Sequence, residues 1–160
     1  MGLLAKQERG SVRFRETRHY ARLKEPIVVI GALSFQKPDR LTKIATQPKW
    51  ERVDIVGAEA TLRASESEPA RTIRLDDVPA LNALIVALRA TLIGDDAQLV
   101  RMFAIHLTGT KDDWRLVLVP RIAAIQEKVA QITIAGRGGV PTKFALVQSN
   151  GDRVVIEIEP

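Results

Sequence analysis

The sequence predicts a mainly β, α+β fold in which one curved antiparallel sheet of about eleven strands is covered by a single helical insertion. Three observations support this prediction. Apolar and polar residues alternate in short segments through most of the chain, which is the period of a β-strand. Turn-forming residues separate these segments at short intervals, so that neighbouring strands pair as hairpins. One stretch, residues 77–102, instead has the three- and four-residue apolar spacing of a helix.

The first half of the chain contains six predicted strands. Residues 12–20 form the first, with Val12, Phe14 and Glu16 on one side and Arg13 and Arg15 on the other. Residues 27–35 form the second, in which Gly31 is expected at a bend or bulge. The remaining strands of this half are predicted at residues 41–46, 52–56, 59–63 and 72–75.

The helical insertion at residues 77–102 is predicted to form a lid. Asp76-Asp77-Val-Pro79 is typical of a helix start, where a carboxylate caps free amides and proline is tolerated. Apolar residues then recur on one helix face: Val78, Leu81, Leu84, Ile85, Leu88 and Leu92. Gly94 ends this helix, and Asp95 or Asp96 is expected to cap a second short helix that carries Leu99 and Phe103.

Five further strands are predicted in the second half, separated by polar or glycine-rich turns. They cover residues 103–107, 115–119, 128–135, 143–148 and 154–156. So many strands in one sheet twist and curl, and two short helices are too small to fill the covered side with side chains alone. The sequence therefore predicts a single domain, residues 1–160, with an open cavity. Aliphatic side chains line this cavity, because aromatic residues make up only 4% of the chain.

Composition excludes several classes of function. The chain has no cysteine, which excludes disulfides and thiolate chemistry, and no apolar run long enough to span a membrane. Its basic excess lies in residues 1–24, which hold seven basic and two acidic residues. This strand face is either simply solvated or suited to lipid phosphates, an acidic partner or nucleic acid. Nucleic acid is the least favoured of these, because no nucleic-acid motif is present.

No group of side chains indicates a catalytic, cofactor or metal site. His19 and His106 are far apart in sequence, and the paired aspartates stand at predicted helix starts or turns, where carboxylates satisfy backbone donors. Gly136-Arg-Gly-Gly139 precedes a strand rather than a helix, so it is not a dinucleotide-binding loop. We therefore expect a protein that is not an enzyme, with no catalytic residue, no cofactor and no metal.

Four motifs occur in a specific order. An amphipathic N-terminal segment leads into Val12-Arg-Phe14-Arg-Glu16, and Gly31-x-Leu33-x-Phe35-x-Lys-Pro38-Asp-Arg40-Leu41 follows. Val53-Asp-Ile-Val-Gly57 then enters a hairpin, and Leu75-Asp-Asp77 opens the predicted lid. Over nearly the whole chain this order resembles that of LolA-type outer-membrane lipoprotein carriers, with their Phe-x-Gln/Glu strand and Gly-x-Leu-x-Phe-x-x-Pro signature.

The resemblance implies an unclosed antiparallel β-barrel, or half-barrel, with an α-helical lid. It also implies a periplasmic protein of Gram-negative bacteria whose cavity takes up the acyl chains of a lipoprotein. Such carriers pass their cargo from an inner-membrane exporter to an outer-membrane acceptor. We expect the protein to be a monomer. The first residues of this chain lack the order of a signal peptide, which leaves a removed secretion signal or a cytosolic protein as alternatives.

One departure from the family concerns the lid. Lys37 stands where the family has a lid-closing arginine before the proline, and lysine lacks the planar, multi-donor guanidinium. A free lipid, a glycolipid or another acylated molecule is therefore an alternative cargo to a lipoprotein. Lys37 and Arg40 are expected to contact the lid or a lipid headgroup.

We expect the hydrophobic cavity to be lined from two sides. The residues expected from the sheet are Phe14, Val29, Leu33, Phe35, Leu41 and Ile44. Those expected from the lid are Leu84, Leu88, Leu92 and Phe103. Ordinary core packing is the alternative interpretation for each of them.

A second hypothesis, from a different class of function, is a periplasmic interaction module that carries no lipid. In this case the lid packs shut over a filled core, and the basic face of the N-terminal strand docks a partner. A fluorescent lipid probe distinguishes the two hypotheses, because a filled core does not bind it.

Overall fold

A computed structural model describes residues 8–159 and contains one antiparallel sheet of eleven strands. The strands form where the sequence alternates or is rich in β-branched residues. They are β1 (Arg9–His19), β2 (Ile27–Gln36), β3 (Arg40–Gln47), β4 (Glu51–Val56), β5 (Glu59–Arg63), β6 (Arg71–Arg74), β7 (Phe103–Thr110), β8 (Asp113–Pro120), β9 (Val129–Arg137), β10 (Val140–Gln148) and β11 (Arg153–Glu159). Their number and positions confirm the predicted fold class.

The strand order makes the sheet a meander with one exception. The order is β6-β5-β4-β3-β2-β1-β11-β10-β9-β8-β7, so every neighbouring pair except β1 and β11 is also consecutive in sequence. β1 and β11 pair in the middle of the sheet, where Phe14 lies opposite Ile158 and Glu16 opposite Ile156. β6 and β7 are the two edges, and the sheet does not close on itself.

One helical segment, residues 75–102, connects the two edge strands. It comprises a 3-10 turn (Leu75–Asp77), α1 (Pro79–Leu88), a π-helical turn (Arg89–Ile93) and α2 (Ala97–Met102). We call the sheet face that packs against these helices the covered face and the opposite face the outer face. A further short helix, α3 (Ala123–Gln126), joins β8 to β9 and was not predicted. Within residues 8–159, no helix has the length and apolarity needed to cross a membrane.

Side chains alternate between the two faces of the sheet, as the pleat of a strand requires. In β1, Phe14 and Glu16 are buried on the covered face, whereas Arg13 and Arg15 are exposed on the outer face. The hydrophobic core lies between the covered face and the helices, with Phe14, Phe103 and Phe144 among its fully buried side chains. The predicted two-sided pattern of the first strand is therefore confirmed.

Gly31 produces the irregularity in β2 that the sequence predicts. The pairing of β2 with β3 shifts register between Ile30 and Gly31. A Cβ atom at Gly31 would overlap the carbonyl oxygen of Ile44, so a residue without a side chain allows β3 to approach here.

Gly94 has a different role. Its φ of 90° is left-handed, and it ends the first helical run as predicted.

Three local predictions need correction or lie outside the described residues. The expected aspartate caps are wrong: Val78 is the N-cap residue of α1, and Asp96 at the start of α2 makes no capping hydrogen bond. Pro79 has no amide hydrogen at the first helical position, so one of the donors that a cap would satisfy is absent. Phe103, expected on the second helix, is the first residue of β7. The predicted amphipathic N-terminal segment includes residues 1–7, outside the described part of the chain.

Candidate functional site

A cavity of about 230 Å³ lies between α1 and the covered face of β2–β5. Most of its wall is apolar. The lining residues from α1 are Leu81, Leu84, Ile85 and Leu88. The apolar lining residues from the sheet are Leu33, Leu41, Ala45, Val53, Ile55, Leu62 and Ile156. The apolar part of this wall can accept an apolar ligand, because it presents no polar group that would lose hydrogen bonds to water.

Local sequence patterns explain why these side chains meet. Leu81, Leu84, Ile85 and Leu88 recur at three- and four-residue spacing, which places them on one face of α1. On the sheet, alternate residues of each strand point to the covered face. Leu84 is half-buried although it packs against the core, because part of its surface borders the cavity.

Three charged side chains, Glu16, Arg18 and Lys43, form a charged cluster beside this apolar wall. The Glu16 side chain is only 2% exposed. Its Oε2 accepts a hydrogen bond from Arg18 Nε at 2.6 Å, and its Oε1 accepts one from Lys43 Nζ at 2.6 Å. Lys43 Nζ also lies 5.3 Å from the centroid of the Phe14 ring, within the range of a cation–π contact.

The electrostatics of the charged cluster keep Glu16 ionised. Burial raises the pKa of this carboxyl group, but Lys43 and Arg18, by charge and by hydrogen bonding, bring it below its ordinary value of 4.5. Arg18 and Lys43 line the cavity, whereas Glu16 lies behind them. Glu51 also lines the cavity and, within the described residues, forms no ion pair.

A comparison with protein families identifies the chain. The model of a family described as outer membrane lipoprotein carrier protein LolA-like matches residues 1–152. The chain belongs to this LolA-like family. No curated protein matches it.

Solved structures with a similar chain fold have low sequence identity to this LolA-like chain. A DUF1329 family protein from Desulfovibrio piger has a TM-score of 0.50 and 9% identity, with 98% of this chain and 85% of that chain covered. A LolA superfamily protein from Nitrosomonas europaea has a TM-score of 0.45 and 8% identity, with coverages of 97% and 86%. A chain of the Pseudomonas aeruginosa MucA/MucB complex has a TM-score of 0.47 and 13% identity. The alignment covers 97% of this chain and 52% of that one.

The structure of the LolA-like chain separates the ten expected cavity residues into three groups. Leu33, Leu41, Leu84 and Leu88 line the cavity. Five others are buried in the core and are not part of its wall: Phe14, Val29, Phe35, Leu92 and Phe103. Ile44 is half-buried and borders a groove with Ser11, Ser34 and Arg52, on the outer face. The alternation of β3 explains this position, since Ile44 lies between Lys43 and Ala45, which line the cavity.

Lys37 and Arg40, which were expected to contact the lid or a lipid headgroup, do not line the cavity. Arg40 is exposed and borders the same outer-face groove as Ile44, and Lys37 lies half-buried in the β2–β3 turn. The contact between this turn and the helices comes from Arg89 instead. Its Nη2 donates to the carbonyl oxygens of Asp39 at 2.9 Å and Gly57 at 2.6 Å. An arginine on the helical side therefore joins the end of α1 to two turns of the sheet.

The sequence did not predict the contacts of Arg89 or the assembly of the charged cluster. A signal was present only for the cluster. Glu16 and Arg18 share a side of the first strand with Phe14, and Lys43 alternates with Leu41 and Ala45, so each charge interrupts an apolar face. The spacing of residues within one strand cannot show that β1 and β3 bring these charges together. Within residues 8–159, no group of potential ligands forms a metal site.

Proposed function

We propose that this protein is a carrier that binds acyl chains of a lipoprotein or another lipid in the cavity beneath α1. The observation that carries the proposal is the apolar wall that α1 and β2–β5 build around about 230 Å³ of space. Membership of the LolA-like family supports it. The energetic reason is the removal of methylene groups from water, which contributes about 0.8 kcal/mol for each buried group.

The place of action is part of the same proposal. An acylated molecule crosses an aqueous compartment only when its chains are shielded, and the periplasm is such a compartment between two membranes. We propose that the protein works there, taking its cargo from an inner-membrane exporter and delivering it to an outer-membrane acceptor. The family description, which names outer-membrane lipoprotein carriers, supports this location.

Lipid uptake is tested with a variant that changes the cavity and leaves the core in place. Leu84 is half-buried and borders the cavity, so Leu84→Asp puts a charge against the apolar wall. We expect at least about a tenfold weaker binding of a fluorescent fatty acid, because burying a carboxylate beside an acyl chain costs more than about 1.4 kcal/mol. The measurement is a fluorescence titration, with circular dichroism to verify folding.

The matched control is Val100→Asp on α2, where the side chain is 54% exposed. This variant keeps wild-type affinity, because its new charge lies in water. Native mass spectrometry of the purified wild type, with lipid extraction of a second portion of the sample, supplies a second readout. A protein that carries no lipid and ignores added fatty acid contradicts the carrier proposal.

The second candidate function is docking of an acidic partner through the outer face. Arg13 and Arg15 are exposed there on β1. Farther along the same face, Arg115, Lys143 and Arg153 border one open groove, together with Glu157. This cationic excess fits an acidic protein segment by charge complementarity. A wild type that binds no lipid would favour this function over the carrier.

A further inference from the structure

We propose that Arg18 and Lys43 bind the anionic oxygen headgroup of a single-chain amphiphile whose tail occupies the cavity. This inference rests on the proposed function of the cavity and specifies the chemical class of its ligand. The proposed site is a polar part of an otherwise apolar wall, where a carboxylate or a phosphate would accept hydrogen bonds from both cations.

Arg18 and Lys43 have hydrogen-bond donors that no protein atom uses within the described residues. Glu16 takes the Nε hydrogen of Arg18 and one ammonium hydrogen of Lys43. Within the described residues, the two terminal amino groups of Arg18 and the remaining hydrogens of Lys43 make no hydrogen bond. Donors at the surface of a cavity need an acceptor, which is water or a ligand atom.

Arg18 and Lys43 are held in position by Glu16. Both Glu16 oxygens are occupied and this side chain is 2% exposed, so it holds Arg18 and Lys43 from behind. The two cations are themselves about one-quarter exposed, at 28% and 25% of their side-chain surface. A ligand headgroup therefore meets donors whose geometry is set before binding, which lowers the entropy cost of recognition.

The charges around the cavity make the affinity for anions sensitive to Glu51. Arg18 and Lys43 carry two positive charges against the one of Glu16, and Glu51 adds a further negative charge to the lining. Glu51 forms no ion pair with Arg18 within the described residues, so it weakens the field at the cations without occupying their donors. Removing this charge should strengthen anion binding and leave neutral ligands unaffected.

The size of the cavity suits a single acyl tail. Its volume of about 230 Å³ exceeds the ~150 Å³ of an apolar cavity that admits benzene. It lies below the roughly 300–1,000 Å³ typical of sites for drug-sized ligands. A cavity of this volume therefore has room for one tail rather than for several chains side by side.

The experiment compares ligands that share a tail and differ in headgroup. Decanoate, decyl phosphate and uncharged decanol are titrated into the wild-type protein by calorimetry, below the concentrations at which they aggregate. Inorganic phosphate alone is the fourth ligand, because it separates headgroup binding from tail binding. We expect both anions to bind about tenfold more tightly than decanol. Inorganic phosphate alone should bind too weakly to detect.

Single-residue variants then test which side chains cause the preference for anionic amphiphiles. Lys43→Met should reduce the anion preference about tenfold, and Lys43→Arg should retain most of it. Lys143→Met on the outer face removes the same charge from an exposed position and should change nothing. Glu51→Gln should raise the affinity for both anions about two- to fivefold, with decanol unchanged. Thermal unfolding verifies that each variant is folded.

Each outcome decides the proposal. Equal binding of all three amphiphiles overturns the headgroup site and leaves the carrier function standing. Absence of binding by all three overturns both. If Lys43→Met fails to fold, the wild-type headgroup series and Glu51→Gln still test the preference. An anion preference that survives Lys43→Met also overturns the assignment to these two cations.

Discussion

At the scale of single residues, Glu16 stabilises the fold and also holds two side chains of the cavity wall, Arg18 and Lys43. Its carboxylate is buried among apolar side chains, and each of its oxygens bonds to a cation. Loss of either partner would leave a buried charge incompletely satisfied, which is costly in a protein interior. The charged cluster is therefore expected to behave as one unit in mutational experiments.

The pKa of Glu16 predicts how stability depends on pH. Because Lys43 and Arg18 lower the folded-state pKa below 4.5, the folded protein binds its proton less readily than the unfolded chain does. The stabilisation is therefore present above pH 4.5 and is lost as the pH falls through the lower, folded-state pKa. Urea denaturation at several pH values should show the free energy of unfolding decreasing below pH 4.5.

The Glu16→Gln variant identifies the source of that decrease. It should be about 1–3 kcal/mol less stable at neutral pH, because the two cations lose their charged acceptor. Its stability should also fall less steeply on acidification. Glu66→Gln, at an exposed position, is the control and should keep the wild-type profile. A Glu16→Gln profile parallel to that of the wild type would contradict the role given to this carboxylate.

Arg89 gives a second prediction at the scale of single residues. Burial lowers the pKa of this guanidinium, which is 8% exposed and bonds to two backbone carbonyl oxygens. Arg89→Met should destabilise the protein by about 1–3 kcal/mol, because the carbonyl groups of Asp39 and Gly57 lose their donor. The free energy of unfolding in urea measures this change, and faster amide exchange in α1 should accompany it.

The control for Arg89 is Arg101→Met on α2, where the side chain is exposed. It should leave the stability within about 0.5 kcal/mol of the wild type. An Arg89→Met protein that is equally or more stable would mean that desolvation of the buried guanidinium outweighs its hydrogen bonds. Within the described residues, its Nε has no hydrogen-bond partner, so this opposing cost is real.

At the scale of secondary-structure elements, β2 and β3 both contribute residues to the cavity wall. The two strands approach each other closely at Gly31. Gly31→Ala should destabilise the protein by about 1–3 kcal/mol, because the added methyl group would overlap the carbonyl oxygen of Ile44. Ser34→Ala on the same strand is the control, since it removes only a long 3.4 Å contact to Ser11. Chemical denaturation compares the two variants, and equal stabilities would contradict the steric argument.

The elements also show which signals in the sequence are reliable. Alternation in β1 and the glycine turn at Gly57 allowed the strands to be predicted, because both signals are local. The short helix α3 was missed since its four residues span about one turn, too short for a helical period to appear. The caps were wrong because aspartate near a helix start has several ways to satisfy its carboxylate, including solvent.

At the scale of the whole molecule, strand count and the position of the lid were predictable, whereas the wall of the cavity was predictable only in part. Leu33 and Phe35 alternate on the same side of β2, yet only Leu33 borders the cavity. The difference depends on where α1 crosses the sheet, which is a long-range property of packing. Arg18 and Lys43 meet for the same reason, because the arrangement of β1, β2 and β3 brings together positions that are distant in sequence.

The pairing of β1 with β11 has a consequence for how the protein folds. It is the one strand pair that joins residues from opposite ends of the described chain, whereas the other neighbours are consecutive hairpins. Local hairpins form quickly, and a contact across so long a loop has a high entropic cost, so we expect this pair to form late. Ile156 of β11 is part of the cavity wall, and Glu16 lies directly across from it. A folding chain would therefore have nearly all of its hairpins before Ile156 completes the wall of the cavity.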